Sequence, residues 1–191
     1  MSILIMVPLM IAYFFLNRLR GTLGPGGVIV GAITGAIVFA FTMDPVYAAG
    51  VSIAYAAGEA IGWGRWLATV PYWNKDLSWE EYEKIRQPDR GDLIHKVANK
   101  LVRETKNWKR YCITALAIRG VVWWLPVAMV GVALGHIHPA VAALVAVLGA
   151  TMPLWYWLAY SLMGPKGYWG NGERLYGIIH GVIVTLLLMT H

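Results

Sequence analysis

Glu59, Arg119 and His180 stand inside long apolar runs, where an ionisable side chain is costly and ordinarily meets a partner or water. Glu59 lies six residues before Arg65, the first basic residue after its run, or about 9 Å at the α-helical rise. Arg119 lies nine residues beyond Arg110, about 13 Å, and His180 six beyond Arg174, about 9 Å. The three are therefore expected at comparable depths on three different helices. Tyr55 and Glu59 share a helix face at i and i+4, and Glu173, Tyr176 and His180 share another at i, i+3 and i+7. A carboxylate, a guanidinium and an imidazole at one level can relay protons or bind an anion. Alternatively, a Glu59–Arg119 pair locks two helices together, because either charge left alone in lipid costs more, or each side chain reaches separately for the interface. Glu173 and Arg174, nearer the surface, suit a cap and an anchor better than catalysis. Glu59, Arg119, His180, Tyr55, Glu173 and Tyr176 are thus the candidates for binding a substrate or proton, and no residue is assigned a catalytic role.

Asp44, His136 and His138 form a second group. A carboxylate and two imidazoles suit a transition metal, but His-Ile-His in a short loop supplies only three visible ligands. Ordinary loop residues are the default reading, and no cofactor is expected. Cys112 is the single cysteine, which rules out an intrachain disulfide and a cysteine metal cage and reads as a small buried hydrophobe. The chain has no Walker A lysine motif, no HExxH, no GxSxG and no pair of aspartates inside an apolar run.

The elements that must position these groups follow from where the charge lies. Residues 65–110 hold eleven of the sixteen Lys/Arg and seven of the ten Asp/Glu. The rest of the 191-residue chain carries only Arg18, Arg20, Asp44, Glu59, Arg119, Lys166, Glu173 and Arg174. With 58% apolar residues, a soluble domain built this way would have an apolar surface. The expected fold is all-α: a single membrane domain over 1–191, a polytopic transmembrane bundle of about six spans with one cytoplasmic amphipathic helical loop. The spans are expected at about 2–17, 26–43, 46–64, 111–135, 139–163 and 174–190, with the loop at 65–110; the first and last are short for a hydrocarbon core of about 30 Å. Gly24-Pro25-Gly26-Gly27 and Gly164-Pro165-Lys166-Gly167 break helices, while Pro45 and Pro139 suit first turns. The run Ser2–Leu16 lacks the preceding basic residues and small-residue cleavage site of a signal peptide.

Basic loops alternate with loops that lack Lys and Arg, which puts both termini outside and the large loop in the cytoplasm. The expected location is a bacterial inner (plasma) membrane. The net charge of +6 is what such loops carry, so no nucleic-acid partner is expected. Within the polar block, Ser78-Trp79-Glu80-Glu81 fits a capping box for a helix that stops before Pro88. Asp92 suits the cap of a second helix with an apolar stripe of Ile94, Val97, Ala98, Leu101 and Val102. Lys96, Lys100 and Arg103 lie on its polar side, a pattern that fits the anionic inner leaflet.

Glycine stripes at 27, 31 and 35, at 58 and 62, and at 177 and 181 permit close helix contact, within the chain or in a homo-oligomer. The tryptophans Trp123, Trp124, Trp155, Trp157 and Trp169 suit core and interface positions better than a substrate cage. Thr42-Met43-Asp44-Pro45 with Gly58-Glu59 echoes Thr151-Met152-Pro153 with Gly172-Glu173, an echo that inverted halves or chance would produce. Three functions fit. The first is a small transporter or channel for a small solute or ion. The second is a structural or regulatory membrane protein: a partner subunit, a scaffold or a phage-type membrane-perturbing protein. The third is a membrane-embedded enzyme acting on lipid or lipid-linked phosphate, with Arg119 on the phosphate and Glu59 or His180 as acid or base.

Overall fold

The structure, a computed structural model, describes residues 3–22, 26–62, 75–86, 93–164 and 168–189. Arg65, the proposed cap Asp92, Pro88 and most of the glycine–proline breaks lie outside these residues, as do the side chains of Arg103 and Trp169. Among the described residues the chain is all-α. The helices are α1 (Ile3–Thr22), α2 (Gly26–Thr42), α3 (Pro45–Gly62), α4 (Trp79–Arg86), α5 (Leu93–Val102), α6 (Trp108–Ala133), α7 (Pro139–Ala150), α8 (Met152–Met163) and α9 (Tyr168–Leu188). A 3₁₀ turn, Arg103–Thr105, follows α5.

Local chemistry sets the helix ends. Asp44 Oδ1 accepts from the amides of Val46 and Tyr47 at 2.8 and 3.0 Å, capping α3 ahead of Pro45. His138 caps α7 ahead of Pro139. Asn107 caps α6 through the Arg110 amide at 3.0 Å. The capping box at α4 is formed: Ser78 N donates to Glu81 Oε2 at 2.8 Å, and Glu81 N donates to Ser78 Oγ at 3.2 Å. The Ser78 amide is the main reason the Glu81 carboxyl lies below its usual range.

The described parts of the six expected apolar segments are largely helical, with two departures. The fifth is two helices, broken at Thr151. The last begins at Tyr168, before its apolar run, so Glu173 is inside α9 rather than at its cap. By length and composition two stretches, Trp108–Ala133 and Pro139–Met163, can cross a membrane; Leu4–Asn17 and Gly26–Thr42 are apolar but shorter.

The helices form a ring. α1 packs on α9 and α2, α2 on α3, α3 on α6, α6 on α7, and α8 on α9. Glycines make these seams. A Cβ at Gly177 or Gly181 would strike the α1 backbone at Tyr13 or Met10, and one at Gly120 would strike the Gly149 carbonyl of α7. Gly31 and Gly35 lie against Ser52 of α3, and Gly58 lies against the Trp123 backbone. These glycine faces are filled by the chain itself.

Large apolar side chains face outward from several helices, while a few polar ones lie inside an otherwise apolar core. Leu4, Val7, Ile11 and Phe15 of α1 face outward, as do Val28 and Phe39 of α2, Ile53 of α3, Val147 of α7 and Leu162 of α8. Asn17, Thr34, Glu59, Arg119, Glu173, His180 and Thr185 are buried. Thr42–Asp44 joins α2 to α3 and Thr151 joins α7 to α8, so both motifs of the sequence echo lie at helix junctions, whereas Gly58-Glu59 closes α3 and Gly172-Glu173 lies early in α9.

Candidate functional site

α3 and α6 run antiparallel, which brings the end of α3 beside the middle of α6. Glu59 and Arg119 come together there, with Oε1 and Nη2 3.7 Å apart and both side chains almost wholly buried. Gly27 of α2 leaves the space into which the Glu59 stem fits; a Cβ there would overlap Glu59 Cγ. The Arg119 guanidinium lies over the Trp123 ring, 5.6 Å from its centroid. Arg119 Nε and Nη1 have no hydrogen-bond partner among the described residues, although Arg119 is only 2% exposed.

His180 of α9 is fully buried among side chains of α1, α3 and α6. Its imidazole has the rings of Trp124, Trp123 and Tyr176 at 4.7, 4.8 and 4.8 Å, all edge-on. Tyr13 and Tyr55 lie at 6.1 Å. The Tyr55 hydroxyl is within hydrogen-bond range of His180 Nδ1 at 3.4 Å. Trp123 and Trp124 are therefore fully buried around an imidazole, and Trp157 is exposed.

The break in the fifth segment lies close to Gly120, the residue after Arg119. In an unbroken helix residue 153 would donate its amide to the Gly149 carbonyl, and Pro153 has no amide hydrogen to donate. The Tyr176 hydroxyl donates to that carbonyl instead, at 3.0 Å. Thr151 Oγ1 donates to Leu148 O at 2.6 Å and accepts from Trp155 Nε1 at 3.1 Å. Gly120, next to Arg119, packs against Gly149 at this point.

Glu173 is a correction to its expected surface position. It is buried, accepts the Tyr156 hydroxyl of α8 on Oε1, and its backbone carbonyl accepts Asn17 Nδ2 of α1 at 3.2 Å. The run from Tyr168 to Arg174 is too polar to read as a span, yet it is helical, and Gly172 and Glu173 within it are buried. α1 and α2 are tied by Tyr13 and Thr34, whose hydroxyl oxygens are 2.6 Å apart. Thr34 Oγ1 donates to Val30 O, so the Tyr13 hydroxyl donates to Thr34. Tyr13, Asn17 and Tyr156 escaped the sequence reading, because a lone hydroxyl or amide in an apolar run carries no partner signal.

At the opposite end of α3, His136 Nε2 and Asp44 Oδ2 are 2.8 Å apart, and the Tyr47 ring stacks on His136 at 4.1 Å. The Tyr47 amide, then His136, hold the Asp44 carboxyl below its usual range. This contact joins the two loops that lack Lys and Arg at one end of the bundle. His138 is turned elsewhere, since its Nδ1 accepts the Ala140 amide at 3.2 Å. Among the described residues no three metal-binding side chains gather, and Asp44, His136 and His138 do not form one set. Lys96 and Lys100 are exposed on α5, away from the buried cluster. No protein family, curated protein or solved structure matches the chain.

The buried cluster can supply a planar guanidinium with two donors unpartnered among the described residues, a buried carboxylate, and an imidazole in an aromatic enclosure. A guanidinium fork fits two oxygens of a carboxylate or phosphate.

Proposed function

We propose that the chain is a six-span membrane protein that moves a small anionic solute, with Arg119 as its binding group. The observation that carries this reading is the pair of buried Arg119 donors, Nε and Nη1, left without a hydrogen-bond partner among the described residues. A purely structural ion pair would be expected to satisfy them, because a buried unsatisfied donor is costly. The Glu59 contact, at 3.7 Å, is longer than a hydrogen bond and leaves Arg119 room for a bound anion. The break at Thr151, beside Gly120, adds support, since interrupted spans commonly line solute sites.

The outward apolar faces and inward charges support embedding in lipid. α2, with 17 residues, rises about 26 Å, a modest mismatch that a bilayer accommodates by thinning. α3 and α9 fall short of a typical span's hydropathy because they carry Glu59, Glu173 and Arg174, the charged groups a solute site needs. Both termini outside, in a bacterial inner membrane with residues 65–110 in the cytoplasm, completes the reading.

A second reading has one observation in its favour. The Glu59 stem fits tightly against Gly27, as a helix lock would require. Proteoliposomes separate the two. Saturable uptake of formate, acetate or phosphate, absent for a neutral solute of similar size, is the expected result. Vesicles no more permeable than protein-free ones would favour the lock.

A further inference from the structure

We infer that α5 lies along the inner surface of the bilayer, with Leu93, Val97 and Leu101 in the acyl boundary and Lys96 and Lys100 among anionic headgroups. This rests on the membrane-spanning reading of α6, but not on transport or on Arg119.

The structure divides the apolar residues of α5 into two edges. Ile94, Ala98 and Val102 are buried, and α5 packs against α6. Leu93, Val97 and Leu101, at i, i+4 and i+8, are 56%, 39% and 64% exposed. The expected stripe is therefore divided between two surroundings: Ile94, Ala98 and Val102 face protein, and Leu93 joins Val97 and Leu101 outside. Lys96 and Lys100 are exposed, and on a helix they flank the outer edge on the side away from the buried one. An apolar edge between a protein contact and a basic edge, beside the start of a span, matches a helix at a lipid–water boundary. The basic residues select an anionic leaflet over a zwitterionic one. A soluble protein partner would fit the apolar edge equally, but the neighbouring lysines and the lipid-facing side of α6 favour the bilayer.

Single cysteines at Leu93, Lys96, Val97, Lys100 and Leu101 carry a nitroxide in the full chain. Two controls are placed at outward positions of α6, Ile113 and Met129. Cys112 is buried, and the unsubstituted chain measures its background labelling. The protein is reconstituted in phosphatidylcholine with a minority of phosphatidylglycerol, and relaxation by oxygen and by a water-soluble nickel chelate is compared. The oxygen-to-nickel ratio at 93, 97 and 101 should exceed that at 96 and 100 several-fold, and the contrast should shrink in phosphatidylcholine alone. High nickel access at all five positions, or exclusion of both reagents from 93, 97 and 101, as under a protein partner, would overturn the inference while positions 113 and 129 still report lipid. An unchanged contrast in phosphatidylcholine alone would overturn the selection of anionic headgroups. Nickel access at 113 and 129 would instead overturn the membrane reading.

Discussion

Arg119 and Glu59 each sit where a lone charge is costly, and each limits the cost of the other. Arg119→Gln leaves Glu59 buried beside a neutral amide. A loss of about 3–5 kcal/mol in unfolding stability is expected, and Glu59→Gln added to it should recover much of that loss. Chemical unfolding in bicelles measures both. Equal, additive losses would mean that the two side chains do not interact. At the other end of α3, Asp44 is held below its usual range by the Tyr47 amide and by His136. A depressed carboxylate stabilises the fold above its unfolded pKa, and that contribution is lost as pH falls through the folded value. The melting temperature should therefore drop on acidification below the ordinary carboxylate range, and Asp44→Asn should remove that part of the drop. Identical acid profiles for the two proteins would rule out an Asp44 contribution. At this scale the sequence was readable where cost is highest. Charges in apolar runs flagged Glu59, Arg119 and His180, and depth alone brought Glu59 to Arg119. Glu173 was misjudged, because a polar helical turn looks like a loop when hydropathy is the only guide.

Between the helices, geometry depends on pieces the pattern only hints at. The Gly149 carbonyl accepts from Tyr176 because Pro153 cannot donate to it. Tyr176→Phe should cost about 1 kcal/mol. In a Pro153→Ala background the cost should nearly vanish, since a helical amide then takes the hydroxyl's place. Equal costs in both backgrounds, by the same unfolding measurement, would show that the proline does not create the need. The seam glycines are stricter. Gly120→Ala or Gly181→Ala forces a methyl into backbone of the neighbouring helix, and a loss of about 1–3 kcal/mol or more is expected. Gly164→Ala meets open space, and its positive φ of 68° makes its cost local strain alone. The glycine stripes announced close packing, but not which helix fills each one, since small residues on one helix carry no record of their partner. The break at Thr151 was likewise hidden, because Pro153 near a new N-terminus and Pro153 within a kinked span read alike. The apparent repeat is matched at the Thr42–Asp44 and Thr151 junctions but not at Glu59 and Glu173, whose places along their helices differ.

At the scale of the whole molecule, the charge distribution motivates the proposed topology. Asp44 and His136 join the two loops that lack Lys and Arg at one end, in keeping with one side of a membrane for both. Cysteine replacing Ser78 should react with an impermeant reagent only from the cytoplasmic side, and cysteine replacing His138 only from outside; the reverse would invert the topology. The central claim is that Arg119 binds the transported anion. Saturable anion uptake should be measured in proteoliposomes holding equal amounts of inserted wild type, Arg119→Lys and Arg119→Gln. The account predicts full uptake for the wild type, a raised half-saturation concentration for lysine, which keeps the charge without the fork, and uptake at the protein-free level for glutamine. Wild-type kinetics in the properly inserted Arg119→Gln protein would contradict it.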